Sequence, residues 1–540
     1  MKRFLSAAEI FIIIVIAILP VFASFPYRIN IFLSWEGAYR LSAGQLPYRD
    51  FGIPVGFMYW VIPAVFFNVF GAYLVTLIKA QAFINLLAGF AFRSLFKSAR
   101  IPVSIRFLGV VVFSLSYTFP NYWPWYNHTV IVYELIALAF LFRSLFGPNR
   151  HSEWWVIPSG IFIFFSFFTK QDGGGLAFLL AIALLIYHCY GEKKWNALIY
   201  FIGSVILTGL VMILPFLPHG FGYWFNHGQP PHSSRISVSD IIGEFLSGSQ
   251  WIKFYIVLIL LLFFAQLRKN RDIIQQKQYL LLLLLTAGIV MEAVIFQVTS
   301  YVPVDNNIFF HSFCITCILY QLWQLEIFDA FSNKMILLTT AAVFFWWSQV
   351  YWKYVQRFIL PDEKRGQATT EYKGYSYGNE VNRNTYIIPL DTTDIPLTRW
   401  RIPDAPSFKK ILVPAPTADG IERLLKSPLV RNNKNLRVLN MSELTPLARD
   451  IPFSLEKGTH YPLWYHKGVA LFDRETKMFV DRIEKNYYDL VLFEYIPYLN
   501  NFYPFTVRAA LEKYYERIDV FPAPRKPSSD AWVEVYVKKR

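Results

Sequence analysis

The dominant feature of the sequence is a series of apolar runs that recur, with short breaks, from Phe11 to about Tyr354. Each run has at least roughly 17 residues, the length that a helix needs to cross the hydrocarbon core of a bilayer. The sequence therefore predicts an α-helical polytopic membrane protein with about eleven transmembrane helices. The predicted spans are roughly 8–25, 72–92, 102–119, 129–146, 154–169, 174–190, 196–215, 251–267, 278–298, 307–325 and 335–355.

Lys and Arg residues are concentrated in alternate breaks between these spans. If the end with Lys2 and Arg3 is cytoplasmic, the inside breaks are basic and the outside breaks carry few cations, as the positive-inside rule requires. An odd number of spans then places the region after Tyr354 outside. The cations of the inside breaks are Arg93, Lys97, Arg100, Arg106, Arg143, Arg150, Lys193, Lys194, Arg268, Lys269, Arg271, Lys277 and Lys334.

The composition excludes two classes of protein. With 55% hydrophobic and only 16% charged residues, the chain is too apolar for a soluble globular protein. Its 33 Tyr and 16 Trp residues suit the aromatic belts of a membrane protein. Two thirds of the net charge of +15 lies in the membrane part, where it serves topology and contact with anionic lipids, so no nucleic-acid partner is expected.

The break after the first span, from Tyr27 to Gly71, carries the strongest motif signals. Glu36 follows the span directly, in a short predicted helix that ends near Gly44. Gly56–Phe70 is predicted to be an interfacial helix, because its proline and short length argue against a full span.

This segment resembles the GT-C glycosyltransferases, in the branch of the family 39 enzymes, the protein O-mannosyltransferases, the lipid A aminoarabinose transferase and Rgt-like bacterial enzymes. The resemblance lies in Gly44-Gln45-Leu46-Pro47-Tyr48-Arg49-Asp50-Phe51, which matches a Gly-x-x-Pro-Tyr-x-Asp-Phe element of that branch. Glu36 matches the second acid of the usual Asp-Glu pair, whereas Trp35 stands where the first is expected. The resemblance implies sugar transfer from a polyprenyl-phosphate donor by an inverting single displacement.

Such a transfer needs a carboxylate to accept the proton of the acceptor hydroxyl, and cations to stabilise the departing phosphate. Glu36 is the first candidate base and Asp50 the second; Arg49 is assigned to the donor phosphate and Tyr48 to the substrate. The alternative interpretation is that Glu36 caps a surface helix and that Asp50 pairs with Arg49 or Arg40.

A second cluster is the Thr169–Gly175 break between two spans. Its glycines allow backbone amides to approach an anion at the start of the following helix, whose dipole favours negative charge. Lys170 is therefore assigned to the donor phosphate and Asp172 to the substrate. The alternative is a flexible turn that contains a Lys–Asp pair.

The outer end of the tenth span contributes two more candidates, Asp305 for the substrate and His311 for the phosphate. A lone His on an apolar helix is also commonly satisfied by a neighbouring carbonyl group. His128, in an aromatic break, is assigned to the substrate, with interface anchoring as the alternative.

The break from Phe216 to Gln250 contains His219, His227 and His232, but their irregular spacing gives no metal-ligand geometry, so a mobile lid is favoured. No metal site is assigned. Because relatives in the family differ in metal dependence, a divalent cation stays open as a cofactor.

The region beyond the last span changes to polar composition and predicts a small α/β domain. The predicted domains are a GT-C-like membrane domain over 1–356 with an exterior loop at 26–71, a linker over 357–403, and an extracytoplasmic α/β domain over 404–540. Strands are predicted at Ile411–Pro414, Arg437–Leu439, Asp489–Phe493 and Trp532–Val537, and helices at Gly420–Lys426 and Pro504–Arg517.

The sequence thus predicts a glycosyltransferase that moves a sugar from a polyprenyl-phosphate donor to a lipid, glycan or protein acceptor at the outer face of a membrane. The expected location is a bacterial inner membrane, with the N-terminus in the cytoplasm. Two alternatives are a transporter or flippase of lipid-linked sugars, toward which Glu134 and Glu292 inside spans point, and a catalytically inactive GT-C scaffold.

Overall fold

A computed structural model of the protein describes most of the chain. The described residues are 2–28, 31–147, 150–226, 237–247, 250–300, 309–348, 351–352, 395, 397–451, 453–463, 465, 471–496, 503–524 and 531–539.

Apolar helices dominate the first 350 residues, as the sequence predicts. The helices are α1 (Lys2–Phe22), α2 (Ile31–Ser42), α3 (Met58–Phe70), α4 (Leu74–Ser98), α5 (Val103–Phe113), which continues as a π-helical turn (Ser114–Thr118), α6 (Tyr126–Leu145), α7 (Val156–Phe167), α8 (Gln171–Glu192), α9 (Asn196–Ile213), α10 (Val238–Ser247), α11 (Gln250–Lys269), α12 (Lys277–Ser300), α13 (Phe310–Gln324) and α14 (Asn333–Trp346).

Each of the eleven predicted spans overlaps one of these helices. Within the described residues, seven helices are long and apolar enough to cross a bilayer, namely α1, α4, α6, α8, α9 in its extension to Phe216, α11 and α12. The apolar helices α3, α7 and α14 and the α5 segment are shorter. The chain is an integral membrane protein.

The chain divides into two compact units. The first, here called the helical unit, comprises Met1–Pro20, Gln81–Leu214 and Arg235–Tyr354. Its packing joins α6 to α7, α7 to α9, α8 to α12 and α5 to α13. Arg93 and Arg106, which the sequence places among the cytoplasmic cations, both bind the fully buried carboxylate of Glu9 on α1, with Nε–Oε distances of 2.7 and 2.8 Å.

The second unit, here called the mixed unit, comprises Val21–Ala80, Pro215–Ser234 and Val355–Arg540. Its remaining helices are α15 (Ala415–Lys426), α16 (Pro428–Asn432), α17 (Phe472–Glu484) and α18 (Phe505–Tyr514), and its strands are β1 (Phe25–Pro26), β2 (Trp400–Arg401), β3 (Ile411–Pro414), β4 (Val438–Met441), β5 (Leu490–Tyr495), β6 (Tyr515–Pro522) and β7 (Trp532–Lys538).

Two sheets organise the mixed unit. The smaller has the order β1-β3-β2, in which β1 runs parallel to β3 and pairs Phe25 with Ile411. The larger has the order β4-β5-β7-β6, with β4 parallel to β5 and the other pairs antiparallel. The strand β5 is almost entirely buried, as expected of a central strand covered on both faces.

The small α/β domain is confirmed, with local differences that include the unpredicted short helix α16. The helix predicted over 504–517 is wrong beyond Tyr514, because Tyr515–Pro522 forms the strand β6. The helix α17 was not predicted from the sequence. The predicted domain boundaries at 356/357 and 403/404 stay predictions, since 353–394 lies outside the described residues.

Candidate functional site

The helix α2 carries the first candidate base in a buried position. Gly37 allows this packing, because a Cβ at this position would lie within 2.4 Å of three ring atoms of Trp60 on α3. The Trp60 indole N–H donates to the Leu33 carbonyl at 3.1 Å, which ties α3 to α2. Glu36 lies in the middle of α2 rather than at its end, and its side chain is 11% exposed.

Arg40, one turn further along α2, holds the Glu36 carboxylate. Its Nε and Nη2 atoms lie 2.9 and 2.8 Å from Oε1 of Glu36. Its Nη1 donates to Oε1 of Gln45 at 2.7 Å and to the Glu456 carbonyl at 2.8 Å, and the side chain is 1% exposed. Arg40 was not among the predicted site residues; its i,i+4 spacing from Glu36 is the sequence signal that could have found it.

Glu36 also lines a cavity of about 450 Å³, counted to its open mouth. Hydroxyl and amide groups from the C-terminal part of the mixed unit line the same cavity, which suits a hydroxyl-bearing ligand. One of these, the Thr445 hydroxyl, is buried without a hydrogen-bond partner in the described part of the chain. The lining residues are Phe32, Glu36, Leu439, Asn440, Met441, Ser442, Thr445, Tyr461, Pro462, Leu463, Tyr465, Phe479 and Tyr503.

The Pro47–Phe51 element forms a tight turn in which Tyr48 has a φ of 66°. The Tyr48 hydroxyl donates to the Val55 carbonyl at 3.0 Å, and its ring is fully buried, so Tyr48 serves packing. Gly52 then pairs with the 458–463 segment, because its N–H donates to the Tyr461 carbonyl at 2.7 Å. A Cβ on Gly52 would lie 2.3 Å from the Tyr223 ring.

Asp50, the second candidate base, is bound within this turn. Its Oδ2 accepts hydrogen bonds from Nη2 of Arg49 at 2.6 Å and from the Leu46 amide at 2.8 Å. Burial acts to raise the pKa of Asp50, but the hydrogen bonds from Arg49 and Leu46 outweigh it and bring the pKa below its ordinary value. A carboxylate with a lowered pKa is a weaker base. Asp50 does not line the cavity that Glu36 lines.

Lys170 and Asp172 form an ion pair at the beginning of α8. The Lys170 Nζ lies 3.1 Å from Oδ2 of Asp172 and 4.5 Å from the ring centroid of Phe296. Asp172 Oδ1 also accepts from the Gly173 amide at 2.8 Å. Gly174 allows the close approach of α7, because a Cβ there would lie 2.2 Å from the Phe167 backbone.

The two candidate histidines lie on apolar helices of the helical unit. His311 on α13 is buried, and its Nδ1 lies 2.9 Å from the Tyr255 hydroxyl on α11. The partner is thus a hydroxyl group rather than a backbone carbonyl. His128 lies near the start of α6, where its carbonyl accepts from the Tyr117 hydroxyl at 2.8 Å. Asp305 lies outside the described residues.

The structure brings four candidates together in two pairs, which are Arg49 with Asp50 in the mixed unit and Lys170 with Asp172 in the helical unit. Glu36 pairs instead with Arg40, which was not a candidate. Of the three histidines between Phe216 and Gln250, only His219 is described, and within the described residues no cluster of three metal-ligating side chains is present.

No family model matches the sequence, and no curated protein matches it. Among solved structures, the chain is similar to ArnT from Cupriavidus metallidurans in the apo state, with 10% identity, 98% of this chain and 97% of that chain covered, and a TM-score of 0.48. It is also similar to ArnT from the same organism bound to undecaprenyl phosphate, with 12% identity, coverage of 65% and 72%, and a TM-score of 0.42. Because the identities are low and both TM-scores are below 0.5, the function proposed below rests on this chain's own residues.

Proposed function

We propose that the protein is a membrane glycosyltransferase that transfers a sugar from a polyprenyl-phosphate donor to an acceptor hydroxyl at the outer face of the membrane. The observation that carries the proposal is a buried carboxylate, Glu36, that is held by Arg40 and lines a cavity with hydroxyl and amide groups. A lipid-linked donor fits an outward-facing site, because nucleotide sugars are cytoplasmic. The location is a bacterial inner membrane with a cytoplasmic N-terminus, in agreement with the distribution of Lys and Arg.

The reaction is a single displacement that inverts the anomeric carbon. The acceptor oxygen forms a bond to the anomeric carbon while the bond from that carbon to the phosphate oxygen breaks, and polyprenyl phosphate leaves with the bonding electrons. Glu36 accepts the hydroxyl proton, as a general base does. Arg40 is a positioning residue, since its two contacts with Oε1 fix the carboxylate on the helix.

Cations stabilise the departing phosphate in this proposal. Lys170 is the first candidate, because an ammonium at the beginning of a glycine-rich helix adds its charge to the positive end of the helix dipole. Arg49, whose side chain is 41% exposed, is the second. The acceptor is a lipid, glycan or protein that presents a hydroxyl group to the Glu36 cavity.

The experiment that tests the proposal compares sugar transfer by purified wild type, Glu36→Gln and Asp50→Asn. Loss of the base in Glu36→Gln is expected to lower kcat by about 100-fold to 10,000-fold with donor binding retained. Asp50→Asn is expected to keep most of the activity, since Asp50 is bound within its turn. Glu512→Gln is the matched control, because this carboxyl lies on the exposed surface of the same unit.

Full activity in Glu36→Gln would contradict the assignment of the base. The transporter alternative is favoured by one observation, the buried pair of Glu134 and Glu292 inside the helical unit. If wild type moved lipid-linked sugar across the membrane of reconstituted vesicles but transferred no sugar to an acceptor, the result would favour a transporter over an enzyme. If wild type did neither, the result would favour the inactive scaffold.

A further inference from the structure

Two glutamates meet inside the helical unit, and the proposed reaction uses neither. Glu134 lies on α6 and Glu292 on α12, with 3% and 6% of their surfaces exposed. Their carboxyl groups line the same small cavity and interact with each other. Ionisable groups at membrane depth cost free energy, so their presence indicates a functional role.

The surroundings of the pair are apolar. The small cavity that both carboxyls line is otherwise bordered by hydrocarbon side chains and the backbone of one glycine, and its free space fits about one water-sized species. Oε1 of each glutamate is buried and receives no hydrogen bond from any group in the described part of the chain. The other lining residues are Val130, Ile131, Gly173, Leu176, Phe296 and Phe309.

The apolar lining determines whether the two carboxyls bind a proton or a metal ion. Two ionised carboxylates in contact within an apolar cavity repel each other strongly, so one of them retains a proton. A hard metal ion needs about six oxygen ligands, and the hydrocarbon lining supplies none beyond the two carboxyls.

We propose that Glu134 and Glu292 form a proton-binding site that holds one shared proton, and that this proton sets the charge beside the Lys170 turn. Two contacts connect the pair to that turn. The Phe296 ring borders the cavity and also lies 4.5 Å below the Lys170 ammonium. Gly173, which borders the cavity, follows Asp172 directly, and a Cβ there would lie 3.0 Å from Phe296.

Other titratable groups lie on the elements that pack around α6 and α12. Helix α7 contributes none, and the Tyr117 hydroxyl interacts electrostatically with Glu134. Loss of the shared proton adds a second negative charge beside Lys170, which opposes the binding of an anionic phosphate there. The titratable groups at this end, on α6 itself and on the packed elements, are Tyr117, Tyr126, His128, Tyr133, Lys170, Asp172, Asp240 and His311.

The proton itself is tested by infrared spectroscopy of the purified protein in detergent near neutral pH. Every protein compared, including the reference called wild type, carries Glu475→Gln, because the Glu475 carboxyl is also partly protonated in this range. We expect the carbonyl band of a protonated carboxyl in wild type, and its loss in Glu134→Gln and in Glu292→Gln, where the new amide donates to the remaining carboxylate. Glu192→Gln, which removes an exposed carboxyl of the same unit, is expected to keep the band. Wild type that lacks the band, or either folded variant that retains it, would overturn the proton site.

The effect on the Lys170 turn rests on the proposed function and is tested separately, with undecaprenyl phosphate as the probe. Its affinity for wild type is expected to fall about five-fold or more as the pair ionises with rising pH. The phosphate of the probe also titrates, so the pH dependence of wild type is compared with that of Glu134→Gln and Glu292→Gln. In these two variants the affinity is expected to fall less as the pH rises. Equal pH dependence in all proteins would refute the coupling. If no protein bound the probe while the infrared band was present, the donor assignment would fail and the proton site would stand.

Discussion

At the scale of single residues, Arg40 determines the orientation of the Glu36 carboxylate. A guanidinium that is almost completely buried must be fully paired, and Arg40 meets this need with Glu36, Gln45 and the Glu456 carbonyl. Its charge also lies 5.3 Å from the Phe51 ring centroid and 5.1 Å from that of Tyr461. The carboxylate is therefore oriented before any substrate arrives, which is the arrangement that general-base catalysis requires.

Glu475 on α17 makes the stability of the mixed unit depend on pH. Burial raises the pKa of this carboxyl to about 7, against an ordinary value of 4.5, although the Tyr223 hydroxyl donates a hydrogen bond to it. The protonated form is therefore favoured in the folded state. Its contribution to stability is complete below about pH 4.5 and is lost as the pH rises through about 7; the difference corresponds to about 3 kcal/mol.

The measurement is thermal unfolding in detergent from about pH 5 to about pH 8. Wild type is expected to lose stability across this interval relative to Glu475→Gln, in which the titrating group is absent. Glu512→Gln, on the exposed surface of the same unit, should follow wild type. Parallel curves for wild type and Glu475→Gln would show that the carboxyl does not titrate in this range.

At the scale of elements, a buried ion cluster joins α1 to α4 and α5. Glu9 on α1 has no exposed surface and binds Arg106 and Arg93, and Arg93 also donates to the Ser6 hydroxyl at 2.7 Å. Charges buried in a membrane helix bundle are tolerated only when they are paired. The cluster therefore fixes the position of an otherwise apolar helix, α1.

Replacing Glu9 by Gln is expected to lower the free energy of unfolding of the helical unit by about 3 to 5 kcal/mol, because two buried arginines lose their counter-charge. Chemical or thermal unfolding in detergent measures the change. Glu192→Gln breaks the exposed pair with Lys277 and is expected to cost about 1 kcal/mol or less. Equal effects of the two substitutions would mean that the Glu9 cluster adds no more than a surface pair.

Helices and strands differed in how well the sequence predicted them. The eleven apolar segments were identified because hydrocarbon demands long apolar runs, and β5 because its residues 490–493 are continuously apolar. The strand β6 was missed because four of its eight residues are exposed, so its pattern resembles the end of the preceding helix. Glu36 followed from a motif, and Arg40 could have been found from its i,i+4 spacing to Glu36. Thr445 and the cavity depend instead on contacts between distant segments that no local pattern encodes.

At the scale of the whole molecule, the first exterior loop and the C-terminal region form one unit. The Gly458 amide donates to the Asp50 carbonyl at 2.7 Å, and the Leu463 amide donates to the Gly52 carbonyl at 3.0 Å. The same segment supplies Tyr461 and Leu463 to the Glu36 cavity. The α/β region is thus part of the candidate site rather than an appendage.

Removing residues 404–540 is therefore expected to abolish sugar transfer and to make the 21–80 segment sensitive to protease, because its backbone partners are lost. The helical unit, which contains none of the removed residues, is expected to remain in the membrane fraction. Limited proteolysis of membranes, with the full-length protein as control, measures both. A truncated protein whose loop stayed protected would show that the loop is stable by itself.

The pairing of Phe25 with Ile411 also bears on the order of events during synthesis. Phe25 is synthesised early, whereas Ile411 is synthesised only after α1 to α14. The contacts of α2 with the C-terminal part of the mixed unit therefore form after the membrane segments have been synthesised. Closing so long a loop is entropically costly and slow. The candidate site around Glu36 is consequently completed last, and a prematurely terminated chain would be inserted without it.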